Sequence, residues 1–268
     1  MAKTQQEIGK RFVELHEGDP FVIPNPWDAG SAKVLVGLGF PALATTSAGF
    51  AFTIGKHDGG VTLDEIVDHV RELTEAVEVP VSVDLENGYG PEPEQAALAI
   101  ERVAEAGAVG GSIEDYDPDD ERIYDIDHAA ERVAAAVQAA RRLDFPFVLT
   151  ARAENYFRGN PDLDDTIARL QAFERAGADV LYAPGLRTVD EIRAVCEAVT
   201  KPVNVVARPK LSFAEIADAG AQRVSLGASL AFVAVAAMAE VAEAIRDDGD
   251  LGAITFSPRL RDWLSSLD

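Results

Sequence analysis

Asp84 and Glu86 stand two residues apart in V-S-V-D-L-E-N-G-Y-G, Val81 to Gly90. The short apolar run before them reads as a buried strand, and Asn87, Gly88 and Gly90 force a turn just after it. Acids at i and i+2 of a continuing strand project to one side. Two carboxylates held together repel each other unless a cation or a proton sits between them. Similar endings recur. Val109 to Ile113 runs into Glu114 and Asp115, Phe147 to Thr150 runs into Ala151 and Arg152, and Leu43 to Thr46 runs into Ser47-Ala48-Gly49. Asp84, Glu86 and Glu114, without a cysteine cluster or a histidine pair, suit a hard oxygen-preferring cation. Mg²⁺ fits, with Mn²⁺ as its substitute, because it keeps several waters and takes one or two protein carboxylates. Calcium loops starting at Asp84 or Asp115 fail, since Tyr89 and Asp120 occupy the position that needs glycine.

The other candidates are substrate contacts. Arg152 carries a planar fork that grips a carboxylate or oxo group, or else it pairs with the acids around it. Ser47, Ala48 and Gly49 present small side chains and open backbone N–H groups, an anion nest. Asn204 is a lone amide in the apolar strand Val203 to Val206, either a substrate contact or a satisfied core amide. For acid/base work the loop ends offer Asp58, His57, Tyr89 and Glu154.

The elements that position these residues alternate along the chain. Strands are expected at Phe21, Leu43, Val81, Val109, Phe147, Val180, Val203 and Arg223, each followed by a helical pattern. Thr62 and Glu65 form a capping box for one helix, Asp28 caps another, and Ser212 caps a short one ending at Asp218. The A-G-A phrases at Ala106, Ala176 and Ala219 are glycine-capped helix ends. Eight βα units predict an α/β (β/α)8 TIM barrel, whose active sites lie where the strands end. An open doubly wound sheet would need a phosphate fingerprint, and Gly37-x-Gly39-x-x-Ala42 closes a helix instead of opening one. With no linker in sight, residues 1–268 read as one barrel domain, with 228–268 as a C-terminal helical segment.

The 268 residues are 47% hydrophobic, enough for a large core. Net charge is −22, from 46 acids against 24 bases, which excludes a phosphate-neutralising nucleic-acid surface. No stretch is long and apolar enough for a bilayer span, and the first twenty or so residues lack a signal peptide's apolar region, so a cytoplasmic protein is expected. The one cysteine, Cys196, sits on the apolar face of a predicted helix and reads as packing.

With these motifs in hand, the chain resembles the isocitrate lyase/phosphoenolpyruvate mutase superfamily over nearly its whole length. The resemblance rests on P-N-P-W-D-A-G-S-A (Pro24 to Ala32), T-T-S-A-G (Thr45 to Gly49), D-x-E-N-G-Y-G (Asp84 to Gly90), G-S-I-E-D (Gly111 to Asp115) and T-A-R (Thr150 to Arg152). It implies a barrel whose last helix is exchanged between subunits of a homotetramer or dimer. It also implies Mg²⁺ and small 2-oxo acids handled through an enolate-like intermediate. By position it makes Asp84 the direct metal ligand, with Glu86 and Glu114 holding metal waters. Ser47, Ala48 and Gly49 become the carboxylate-binding turn, Arg152 the substrate arginine and Asp58 a loop aspartate near the reacting group.

Two departures narrow this. Glu86 replaces the second Asp of D-x-D-x-G. The lyases' K-K-C-G-H gating loop is missing, its place taken by Tyr116 to Arg122, and the mutases' Lys-and-Asn loop is missing too. The expected activity is therefore a Mg²⁺-dependent lyase or hydrolase of a small 2-oxo acid, with C–C cleavage favoured. A phosphonopyruvate-type C–P enzyme and a non-catalytic 2-oxo-acid-binding protein are the alternatives. The loop from Tyr116 to Asp125 is expected to be a lid.

Overall fold

A computed structural model of the chain describes residues 3–265. Eight parallel strands form one sheet: β1 (Phe21–Ile23), β2 (Leu43–Ala44), β3 (Val81–Asp84), β4 (Gly110–Glu114), β5 (Val148–Arg152), β6 (Val180–Tyr182), β7 (Val203–Val206) and β8 (Arg223–Ser225). The order β1-β8-β7-β6-β5-β4-β3-β2 brings the first two strands together at the ends. There the Ala44 N–H donates to the Pro24 carbonyl at 3.0 Å, and the Asn25 amide donates to the Thr45 carbonyl at 2.8 Å. The result is the expected (β/α)8 barrel.

Helices α1 (Gln5–Glu17), α2 (Ala29–Gly37), α3 (Ser47–Thr53), α4 (Leu63–Ala76), α5 (Pro93–Glu105), α6 (Ile126–Arg141), α7 (Leu163–Arg175), α8 (Val189–Ala198) and α9 (Phe213–Asp218) accompany the strands. Their caps are those the sequence announces. Thr62 and Glu65 bond reciprocally at the start of α4, as do Ser212 and Glu215 at α9, and Asp28 accepts from the Ser31 N–H at 2.6 Å. Gly107, Gly177 and Gly220 end helices with φ near +100°, a conformation that a side chain would strain. Helices α5 and α6 lie against each other, and both bury alanines, among them Ala96, Ala99, Ala136 and Ala139.

Helix α1 closes the barrel's N-terminal end. Its Phe12 is fully buried among Phe21, Ile23, Val109, Val148 and Val180. Gln222 ties the end of α1 down, donating from its amide to the carbonyls of Leu15, Gly18 and Asp19. Burying a side chain like Phe12 stabilises by roughly 1.5–3 kcal/mol. Cys196, on α8, packs against Gly220 at this same closed end.

Helix α10 (Ser229–Asp248) differs from the others. Ala231 is its one buried residue, while Phe232, Val233 and Met238 are 50%, 66% and 63% exposed. The chain continues through a 3-10 turn, Leu251–Ala253, and α11 (Leu260–Leu264); the last three residues of the 228–268 segment lie outside those described. Among the described residues, no helix is long and apolar enough to cross a membrane.

Candidate active site at the strand ends

The C-terminal strand ends bring the predicted residues together. Thr45 anchors Asp84, its hydroxyl accepting from the Asp84 N–H at 2.8 Å, and the Ser47 N–H donates to Asp84 Oδ2 at 3.2 Å. The T-T-S-A-G motif and the carboxylate at the end of β3 therefore form one unit. Ser47, Ala48 and Gly49 are not a loop nest: they are the first turn of α3, capped by Thr46, whose hydroxyl accepts from the Gly49 N–H. Of their three N–H groups, that of Ser47 is taken by Asp84 and that of Gly49 by Thr46, which leaves the Ala48 N–H at this helix start to face an anion. Phe50 fixes α3 by stacking on His69 of α4 at 3.9 Å.

Arg152 is the hub. Its Nη1 lies 3.2 Å from Glu114 Oε2 and 3.7 Å from Asp84 Oδ1, and its Nε donates to Glu154. Tyr182 lies under the guanidinium, 5.3 Å from it to the ring centre. Arg158 closes the circuit, reaching Glu114 at 3.3 Å and Glu154 at 3.1 Å. Both Glu154 oxygens are thus held by guanidinium groups, which makes it an anchor for the arginines. Asp115 supports it from behind, accepting from the Glu154 N–H at 2.8 Å and from Arg169 at 3.0 Å. Burial chiefly pushes the Asp115 carboxyl up to about 6. Arg158 and Tyr182 were not among the sequence candidates. Arg158 was findable, since it stands four residues after Glu154, the spacing of a helical ion pair.

Glu86 reaches the site by another route than a continued strand. The strand stops at Asp84, and Glu86 and Tyr89 both adopt positive φ, 49° and 62°. For residues other than glycine this strain is characteristic of functional loops. Glu86 consequently lines a side cavity of about 220 Å³ with Asp58, Glu114, Arg152 and Arg158. Its Oε1 is buried without a hydrogen-bond partner. Burial, then Asp84 and Asp58 nearby, pushes its carboxyl up to about 8. Burial also raises Glu114 well above the usual carboxylate range, against the pull of Arg152.

The loop that shapes this acid pair hangs on one residue. Arg132 of α6 is 1% exposed and donates to four carbonyls: Pro91 at 2.9 Å, Glu114 at 3.2 Å, Gly90 at 2.7 Å, and Asn87. Tyr124 lies under its guanidinium at 4.6 Å. Nothing in the sequence singles out this arginine within its alanine-rich helix.

The remaining candidates are dispersed. Asp58 lines the side cavity and also a deeper one of about 380 Å³ that runs down the barrel from Ser47, Asp84 and Arg152. His57 is exposed on the same loop and lines neither cavity. Tyr89 lines neither as well; its hydroxyl is buried without a partner, and burial, then Glu86, raises it above its ordinary value. Asn204 lines the deep cavity, its amide bonded to Ser225 and Arg223. Residues Tyr116 to Asp125 are not a plain loop. They fold into a small antiparallel hairpin, Tyr116–Asp117 with Arg122–Ile123, and Arg158 stacks on Tyr116 at 3.6 Å.

Among the described residues, no three metal-ligating side chains come close enough to share one ion directly. Arg152 stands between Asp84 and Glu114. The donor set still fits a cation held by one carboxylate and otherwise through water. Asp58, Asp84, Glu86, Glu114 and Glu154 face two guanidinium groups, Arg152 and Arg158, and the buried Glu86 Oε1 lacks a partner. Such an excess of carboxylates over guanidinium groups takes up a cation or protons.

The chain is similar to known proteins over most of its length. A family profile described as phosphoenolpyruvate phosphomutase matches residues 12–246. A Burkholderia cenocepacia protein solved as a candidate lyase/mutase is 50% identical, with a TM-score of 0.93, covering 97% of this chain and 95% of that one. The 2-methylisocitrate lyase of Halalkalibacterium halodurans is 28% identical over 261 residues, 92% of this chain and 85% of the lyase. A phosphonopyruvate hydrolase solved with oxalate and Mg²⁺ is 25% identical, with a TM-score of 0.83, covering 98% of this chain and 95% of that one.

Proposed function

Because the chain belongs to the phosphoenolpyruvate mutase family, of the isocitrate lyase/phosphoenolpyruvate mutase superfamily of enzymes, we propose that it is a Mg²⁺-dependent lyase or hydrolase cleaving a C–C bond to release a small 2-oxo acid. The observation that carries this is Arg152, joined to Asp84 and Glu114 beside the N-terminus of α3, at the mouth of a 380 Å³ cavity. Asp84 would hold the cation, with Mn²⁺ as a substitute, and Glu86 and Glu114 would hold its waters. When bound, the ion supplies a Lewis acid that polarises the 2-oxo group. Arg152 grips the carboxylate with two N–H groups, and the Ser47-Ala48-Gly49 turn, with the Ala48 N–H not taken by Asp84 or Thr46, stabilises the negative charge that builds up as an enolate forms. Asp58 overlooks both cavities with no guanidinium partner among the described residues, which suits it to carry the proton.

A second reading draws on Arg158. Placed beside Arg152 on the side cavity, it would suit a phosphonate, so C–P cleavage is the alternative. The apolar, uncovered face of α10 supports a further element of the proposal: a second copy of the chain covers it, in a dimer or a tetramer.

The test is a panel of branched 2-hydroxy diacids and phosphonopyruvate incubated with Mg²⁺, reading 2-oxo acid and phosphate release, with Asp84→Ala as control. Release of a 2-oxo acid without phosphate, abolished in Asp84→Ala, is expected. Phosphate release would favour the second reading. Binding of 2-oxo acids without turnover of any panel member would make the protein a non-catalytic binder and refute both.

A further inference from the structure

Arg223 opens β8 and turns into the barrel, where it is 5% exposed. Its three hydrogen-bond partners are all neutral. Nε donates to Asn204 Oδ1 at 2.8 Å, Nη2 donates to Thr150 Oγ1 at 3.0 Å, and Nη1 meets His16 Nε2 at 3.2 Å. The His16 Nδ1 is bonded to the Phe12 carbonyl at 2.8 Å, so Nε2 faces Arg223 as the acceptor. Burial, and then the charge of Arg223 itself, pulls that imidazole down to about 3, so it stays neutral. The guanidinium one level up, Arg152, has three carboxylate partners. Arg223 has none among the described residues. A buried cation without a counter-charge is costly to keep.

The space in front of it is open. Barrel interiors are usually filled by branched apolar side chains; here the small side chains of Ala44, Ser82, Ser112 and Ser225 stand beside Ile23 and Val206 and leave a cavity that reaches Arg223 from the mouth at Ser47 and Arg152. A guanidinium has five N–H donors. Three of these are used on Arg223, which leaves two. Its Nη2 is bonded to Thr150, two residues before Arg152 on β5, so the Arg223 guanidinium lies beside a residue about 7 Å along the strand below Arg152. That separation spans a short carbon chain.

We propose that the barrel interior beneath Arg152 is a second carboxylate subsite with Arg223 as its cation, and that the 2-oxo acid handled at the mouth is dicarboxylic, its distal carboxylate pointing down the barrel. This rests on the 2-oxo-acid reading of the mouth. It adds a substrate class and a residue, and supplies the anion that Arg223 lacks.

Calorimetry in Mg²⁺ with oxaloacetate and 2-oxoglutarate, against pyruvate and 2-oxobutyrate, tests it. The wild type should bind at least one diacid ~10-fold or more tighter than either monoacid, the worth of one charge-assisted contact. Arg223→Met should remove that advantage while weakening the monoacids less than ~2-fold, and Arg223→Lys should retain part of it. Arg223→Gln, which keeps a polar group for Asn204 and Thr150, takes the place of the methionine variant if that one does not fold. A diacid preference that survives the loss of the cation, or an equal loss for both classes, would overturn the subsite. Monoacid binding without any diacid advantage in the wild type also overturns it and leaves the mouth intact. If neither class binds the wild type, it is the 2-oxo-acid reading that fails.

Discussion

Arg132→Met is the perturbation that most directly probes how the acid cluster is held. The substitution keeps the length and apolar stem of the side chain and deletes the guanidinium. The carbonyls of Asn87, Gly90, Pro91 and Glu114 then lose their donor together. Each unsatisfied buried carbonyl costs about 1–3 kcal/mol, and waters entering through the adjacent loop recover part of that. The net expectation is ~3–5 kcal/mol, the range for removing one partner from a buried charged network. At ~2–4 °C per kcal/mol for a chain of this size class, the thermal midpoint should fall by roughly 6–20 °C. Arg132→Lys should lie between the two, since a point charge with three donors cannot serve four carbonyls arranged around a fork. Because three of these carbonyls belong to the loop after Glu86 and the fourth to Glu114 itself, Mg²⁺ should also stabilise Arg132→Met less than wild type. Differential scanning fluorimetry with and without Mg²⁺ reads both effects. A midpoint within ~2 °C of wild type, with an unchanged Mg²⁺ shift, would refute the role given to this arginine.

Three further outcomes are expected. Arg152→Lys should bind 2-oxo acids more weakly by roughly 1.5–3 kcal/mol, and calorimetry giving equal affinities would contradict the bidentate role. His16 is neutral when folded, with its value lowered from 6.5 to about 3, so its contribution is complete above pH 6.5 and is lost as pH falls from there toward 3. At pH 5 the loss is ~2 kcal/mol, so urea unfolding of His16→Gln should show a shallower decline between pH 7 and pH 5 than wild type, and equal declines would count against it. Cys196→Ala should leave turnover unchanged and cost about 1 kcal/mol, because the thiol packs against Gly220 at the closed end, and a dead Cys196→Ala enzyme would mean the chemistry is misplaced.

The barrel and most of its strand ends were legible because parallel strands are short apolar runs whose polar endings converge on one face. Asp84, Glu114 and Arg152 could be read as a group for that reason alone. Helix α3 was not legible: S-A-G-F-A-F-T has no amphipathic period, and Thr46 is its one local signal. The hairpin after β4 rests on two pairs of residues, too few for an alternating pattern, and Arg158 stacking on Tyr116 helps to hold it. Glu86 was assigned to the right neighbourhood by a geometry that does not hold, since the chain turns into positive φ there. Arg132 and Arg223 escaped for a different reason. An arginine in a helix or at a strand start reads as solvated, and only the packing shows that one donates to four carbonyls and that the other meets no carboxylate among the described residues.

The stopper that α1 places at the barrel's N-terminal end governs traffic. Phe12 fills the bottom among apolar neighbours and His16 sits beside it under Arg223, so the deep cavity opens to solvent at the strand-end mouth. A vessel with one opening imposes a queue. Whatever fragment of a cleaved substrate lies lower cannot escape until the fragment above it has left. Release is then ordered by depth, the lower fragment departs last, and that fragment competes with incoming substrate for the empty enzyme.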